Sequence, residues 1–215
     1  LSSHQGLVGL HASFTLEDET LEKAFRLAQK HNSGIHIHLA ESISDQDDSE
    51  LKHGQRVVNR LNSFGFLEME KSIMAHGIHL SPEEKNLLNK GKTWLVQNPE
   101  SNLNNQVGFF NQEGLHQKIM LGTDGMHSNM IRSTQCAFFA GKNFEDIDMI
   151  YAYQRLRNVD QYLENHFSFS KNSLMILKYD SPTPLSQDNF LGHFFYGFEN
   201  RHIQHLIHHG KWIMK

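Results

Sequence analysis

Residues 34–42 read GIHIHLAES, an apolar run with two histidines two apart and a glutamate three after the second. Following a glycine, such a run is a strand. Its period of two puts His36 and His38 on one face, with Ile35, Ile37 and Leu39 on the other. A strand that only fills a core has no use for two imidazoles and a carboxylate at one end. Imidazole is the commonest nitrogen donor for zinc, and a nearby carboxylate can take and pass on a proton. His38 and Glu41 are therefore candidates for a ligand and a proton carrier. His36 has two readings, a support for the same site or a satisfied core histidine.

The neighbouring runs repeat the pattern. LVGLHA (7–12), SIMAHGIHL (72–80), TWLVQN (93–98) and KIMLGTDG (118–125) are further strand-like stretches. Between them, TLEDETLEKAFRLAQKHN (15–32) is expected to be a helix capped by Thr15 or Asp18, with Leu21, Phe25 and Leu27 on its apolar face. QRVVNRLNSFGFL (55–67) is helical by the spacing of Val57, Leu61 and Phe64. SPEEKNLLNKG (81–91) opens a helix on Ser81 with Pro82 in its first turn. ESISDQDDSELKHG (41–54) and PESNLNNQVG (99–108) read as polar loops.

Strands alternating with helices imply a parallel sheet with helical crossovers. His11, His38, Glu41, His76, Asn98 and Asp124 all fall where strands end. That is the arrangement of a TIM-like (β/α) barrel, whose active sites collect at the carboxyl ends of several strands. An open doubly wound sheet would gather its ligand at a switch point, and no glycine-rich phosphate loop marks one. After residue 126 two helices are expected, over 131–141 and 146–167. SLMILKYD (173–180), RHIQHLIHHG (201–210) and KWIMK (211–215) alternate as antiparallel strands. The expected organisation is a partial α/β barrel over 1–172 and part of a small β-sandwich subdomain over 173–215.

Composition narrows the function. A formal net charge of −4 with no basic run argues against nucleic acid as a partner. No stretch approaches the roughly 20 apolar residues of a membrane span. The single cysteine, Cys136, excludes a disulfide framework and a cysteine-rich zinc cluster, and points to a reducing, cytoplasmic setting. Sixteen histidines are the unusual count. The chain starts at Leu1, close to a strand, and reads as an excerpt of something longer.

GLHASFT, HIHLAES, AHGIHL, QNPESNLNNQVG and LGTDGMHSNM, in that order, resemble the metal-dependent amidohydrolase superfamily. They are most similar to its aminohydrolase branch, with guanine deaminase, the chlorohydrolases and the SsnA-type aminohydrolases. The resemblance implies a metal ligand at His38, a proton shuttle at Glu41 and a histidine beside water and substrate at His76. It further implies a ligand and base at Asp124 and a substrate-binding histidine at His11. Members with two metals bridge them by a carboxylated lysine where this sequence has none, so one divalent metal is expected: zinc first, iron or manganese as alternatives. The family's first strand carries a His-x-His pair, and nothing before residue 7 can be that strand. Two of the four expected ligands, His38 and Asp124, are present.

The implied activity is hydrolytic deamination of a nitrogen heterocycle, of purine, pyrimidine or triazine type, by a metal-activated water. Loss of halide from a similar ring is the enzymatic alternative. A non-catalytic fragment acting as a binding module is the alternative of another class. The expected partner is a small heterocycle, and a homodimer is compatible with that.

Overall fold

Ile35, Ile37 and Leu39 alternate with His36 and His38 along β2 (Ile35–Leu39), and the two sets part as the period requires. The aliphatic side chains are buried, His36 is exposed and His38 half-buried. His36 is thus not a core histidine. The computed structural model describes residues 5–116, 119–167 and 172–214. Lys118 and Lys215, expected at strand ends, and residues 168–171 lie outside the described residues.

Five parallel strands form one sheet in the order β1 (Val8–Ala12), β2, β3 (Ile73–His76), β4 (Trp94–Gln97), β5 (Ile119–Leu121). Strands that neighbour in sequence also neighbour in space, each joined by a helical crossover, as a barrel requires. One sheet face carries Ile35, Ile37, Leu39, Met74, Leu95 and Ile119. Against it pack Leu21, Ala24 and Ala28 of α1 (Asp18–Lys30), Val57, Val58 and Leu61 of α3 (Val57–Ser63), and Leu88 of α4 (Pro82–Lys90). Register places His36 beside Ile73 and His38 beside Ala75, on the opposite face.

The helices differ in part from expectation. Neither Thr15 nor Asp18 caps α1: Glu17 holds that place without a side-chain hydrogen bond, and Leu27 stays 48% exposed. Thr15 instead donates to Ala12 O, closing the turn after β1. α4 has the expected Ser81 cap, a reciprocal bond with Glu84, and Pro82 in its first turn. The first stretch read as a loop is a helix, α2 (Ile43–His53), started by Ser42 Oγ accepting from Ser44 N and stopped by Gly54 at φ +66°. The second is α5 (Pro99–Asn105).

α6 (Met130–Gly141) and α7 (Met149–His166) follow β5. Asn158 of α7 donates to Ile119 O on β5, whose one sheet neighbour among the described residues is β4. The remaining sheet is antiparallel, β6 (Leu174–Leu177), β7 (Ile203–His208) and β8 (Lys211–Met214). The β7–β8 turn has His209 at φ +50° and Gly210 at +72°, the signs that a two-residue hairpin needs. Between β6 and β7, α8 (Phe190–Tyr196) buries Phe194 and Phe195 against the α6–α7 pair. Among the described residues no helix is long and apolar enough to cross a membrane.

One buried acid ties α2 to the exit of β2. Asp45 Oδ2 accepts from Ala40 N at 3.0 Å, and Ala40 sits at φ +45° just before Glu41. Burial pushes the Asp45 carboxyl up to about 6, partly countered by the Ala40 N–H. The folded state therefore holds this proton more tightly than the unfolded chain. The resulting stability is complete below the ordinary carboxylate range and lost as pH rises through about 6. A shift near two units corresponds to about 3 kcal/mol. Asp45→Asn should remove this slope, gaining on the parent by about that amount between about pH 4 and pH 7 in chemical denaturation; parallel profiles would refute it.

Candidate active site

The carboxyl ends of the strands bring together residues distant in sequence. The chain leaving β3 bonds to the exit of β2 through Gly77 N on Leu39 O and through Ile78 N and His79 N on Ala40 O. This seats Glu41 beside His76, with Glu41 Oε2 at 3.6 Å from His76 Nε2. Asp124, three residues past β5, brings Oδ2 to 4.0 Å from the same nitrogen. Glu41, His76 and Asp124 each offer one ligand atom, all within 4.8 Å of one another. His76 at φ +76° and Asp124 at +52° are left-handed, a strain of about 1–3 kcal/mol each that surrounding contacts must hold in place.

His38 stands next to this trio, its ring centroid 5.3 Å from that of His76. Its Nδ1 lies 2.7 Å from His11 O, and a carbonyl only accepts, so Nδ1 carries the proton and Nε2 keeps its lone pair. A carbonyl behind one ring nitrogen orients a histidine and leaves its other nitrogen ready to ligate a metal. The His11 ring packs edge-on to His38 at 5.2 Å, its Nδ1 lies 3.0 Å from Thr15 Oγ1, and it is exposed at the site's rim beside Phe14. His36 is on the same sheet face but deeper along β2. His79 is taken up elsewhere, its Nε2 on Val107 O at 2.7 Å. Two carboxylates, a free imidazole nitrogen and a buried imidazole form a mixed nitrogen and oxygen donor set suited to a divalent metal such as zinc.

The residues that hold these groups come largely from α5, the stretch read as a loop. Asn98, Ser101, Asn102 and Asn105 share one helix face, and each reaches the site. Asn102 Nδ2 meets His76 Nδ1 at 2.8 Å, and Asn98 Nδ2 lies 3.5 Å from Nε2. Ser101 Oγ donates to Asp124 Oδ2 at 2.6 Å, and Asn105 Nδ2 donates to Glu41 Oε1 at 3.4 Å. Between them, Glu100 lies 2.6 Å from both His127 Nε2 and Arg132 Nε, tying the loop after β5 to α5. Asn98 was marked by its strand-end position. The others carried a usable signal in the helical spacing of 98, 101, 102 and 105.

Electrostatics separate the groups. Burial is the largest influence on His76 and pulls its pKa below the usual histidine value, against the opposing pull of Glu41 and Asp124. Burial works against the charged form of Asp124 too. The Ser101 hydroxyl, the Gly125 N–H and the facing histidines outweigh it and hold that carboxyl below its ordinary value.

The Amidohydrolase family profile matches residues 4–175. The chain belongs to that family. Among its relatives is the 5-methylthioadenosine/S-adenosylhomocysteine deaminase of Thermoanaerobacter pseudethanolicus, 35% identical over 126 residues, which cover 57% of this chain and 29% of the relative. Two solved structures share the fold. An adenosine deaminase from Xanthomonas campestris with bound zinc superposes at a TM-score of 0.80 and 21% identity, over 97% of this chain and 51% of that one. The guanine deaminase of E. coli gives 0.82 and 19%, over 97% and 54%. The chain spans about half the length of these solved relatives, and its parallel sheet is a run of consecutive β/α units from such a barrel.

A group that orients a metal-binding carboxylate typically contributes about 10–100-fold in affinity. Ser101→Ala should weaken zinc binding to the metal-free protein by about that factor in calorimetric titration, with little change in its unfolding transition. Unchanged affinity would mean that Asp124 is not a ligand, or is held well enough without the hydroxyl.

Proposed function

We propose that the protein is a metal-dependent aminohydrolase that replaces the exocyclic amine of a nitrogen heterocycle by oxygen, releasing ammonia. The observation that carries this reading is the convergence of Glu41, His76 and Asp124 at the carboxyl edge of the sheet, with the two carboxylates unequally restrained. Asp124 accepts hydrogen bonds of 2.6 and 2.7 Å from Ser101 and Gly125, whereas Glu41 is held only by longer contacts, 3.4 Å from Asn105 and 3.6 Å from His76. A ligand and fixed base needs the first environment; a proton shuttle, which must turn between two partners, needs the second.

His38 through Nε2 and Asp124 would hold one divalent metal, with zinc the first choice because the Xanthomonas adenosine deaminase of the same fold binds it. When bound, that ion supplies Lewis acidity and makes a water nucleophilic near neutral pH. Asp124 takes the proton of the attacking water. Glu41 receives that proton and delivers it to the ring nitrogen, then carries the proton left on the added oxygen to the departing amine, so that water supplies both protons and the amine leaves as ammonia. His76 faces the attacked carbon and hydrogen-bonds the oxygen as charge builds on it. His11, at the rim, contacts the ring. An aminated purine is the substrate class placed first, since the 35% identical relative is named for deaminating adenosine derivatives. The SsnA-type resemblance, a homodimer and a cytoplasmic setting go with this reading.

The test is Glu41→Gln in the full-length enzyme. The amide keeps the size but takes up no proton at neutral pH, and general acid–base assistance is typically worth about 10²–10⁴ in rate. Metal content by elemental analysis should be unchanged, KM similar and ammonia release slowed by about that factor. Near-normal turnover would remove Glu41 from the mechanism, and loss of metal would make it a ligand.

A further inference from the structure

The 2.8 Å contact between Asn102 Nδ2 and His76 Nδ1 assigns a proton. A carboxamide nitrogen only donates, so Nδ1 must accept. A neutral imidazole with an accepting Nδ1 carries its hydrogen on Nε2, the nitrogen that faces Glu41 at 3.6 Å and Asp124 at 4.0 Å. The Asn98 amide nitrogen at 3.5 Å from Nε2 stands at the limit of hydrogen bonding, and the shorter contact decides. We propose that Asn102 is a positioning residue that locks His76 in its Nε2–H tautomer, making it a hydrogen-bond donor to the reacting oxygen and excluding it from the metal. The proposal rests on the aminohydrolase reading for its purpose, but not for its geometry.

Further observations support the lock. His76 and Asn102 are both fully buried, so water does not compete for Nδ1. An Nδ1 that accepts from an amide also belongs to a neutral ring, the only state in which the choice of tautomer exists. Finally, Asn102 rides on α5, whose neighbouring turns are fixed through Ser101 to Asp124 and through Glu100 to His127 and Arg132. The amide therefore meets the ring from an anchored helix. The geometric trio alone would allow His76 as a third protein ligand. The tautomer removes it from that list, leaving His38, whose Nδ1 sits against a carbonyl and whose Nε2 lone pair is free. Two histidines at neighbouring strand ends are thus set to opposite tasks by the group behind each ring: an acceptor behind His38, a donor behind His76.

Imidazole 15N correlation spectra read the tautomer directly, on metal-free protein above the titration of His76. The parent should show an unprotonated Nδ1 and a protonated Nε2 for His76, assigned by difference against His76→Gln. Asn102→Asp puts an acceptor in the same place and should exchange the two resonances. Asn102→Leu should populate both tautomers and draw the resonances together. Zinc should leave the parent's Nε2 protonated but shift it in Asn102→Asp, where the lone pair points to the metal site. A parent ring protonated at Nδ1 would overturn the proposal even if neither variant folds. So would an Asn102→Leu spectrum identical to the parent's, or an Asn102→Asp spectrum in which nothing moves. An expected tautomer with no ammonia released from any aminated heterocycle would sink the aminohydrolase reading alone. Ammonia release with the reverse tautomer would sink only the lock.

Discussion

A fully buried imidazole has two nitrogens to satisfy, and each polar atom left unanswered inside a protein costs about 1–3 kcal/mol. His76 meets this demand in a left-handed conformation at the end of β3, with Asn102 behind it and two carboxylates in front. Much of the carboxyl edge follows from that. The exits of β2 and β3 must be bonded to each other so that Glu41 comes within reach. The segment after β4 must be a helix that starts at once, since only a helix brings 98, 101, 102 and 105 to one side. And α5 must come close to the exit of β5. Gly122 permits that approach, because a Cβ there would lie 2.3 Å from Asn98 Oδ1.

Reading the sequence recovered the parallel strands because they are short apolar runs, alternating in β2 as Ile35, Ile37 and Leu39 and buried nearly throughout in β3, β4 and β5. It recovered α4 from Ser81 and Pro82, whose capping chemistry is local. It missed α2 and α5 for one shared reason. The side chains these helices bury are Asp45, Gln46 and Ser49 in one, and Ser101 and Asn102 in the other. Apolar periodicity finds helices that cover a core, and it is silent about helices whose inner face is a hydrogen-bonding surface. The end signals were there: Ser42 and Gly54 around α2, and Asn98 followed by Pro99 before α5. The strand-end order pointed to His11, His38, Glu41, His76 and Asp124, but a residue that acts on another side chain has no such marker.

Two buried arginines extend the same polar design outward. Arg60 is fully buried, with its guanidinium on Ser13 O, Ser13 Oγ, Leu16 O and Asp18, which fixes the turn after β1 and so the rim that carries His11. Arg155 pairs with Glu145, both almost wholly buried, and donates to Gln97 and Gln112, joining α7 to the end of β4. Their charge is not expendable. Between Arg155 and Glu145, removing one partner strands the other, at a cost of about 3–5 kcal/mol. The loops around the site are thus pinned by cations set behind them, and the rim can vary without loosening what lies below.

The unequal restraint of the two carboxylates bears on the leaving group. Expulsion of an amine needs a proton, because an amide anion is far too basic to depart, whereas a halide leaves without one. Expulsion of halide shares the need for a base on water and a proton at the ring nitrogen, and lacks only the last proton transfer, to the leaving group. Here Asp124 is held by two short hydrogen bonds, and Glu41 is retained on a long one, with its side chain 28% exposed. A loosely held carboxylate beside a neutral imidazole is a poor structural strut, since it adds charge without adding a strong bond. It is a good carrier, able to swing from the attacking side of the ring to the departing side. Under the proposed reaction, the looseness of Glu41 suits the carrier role that expulsion of an amine requires.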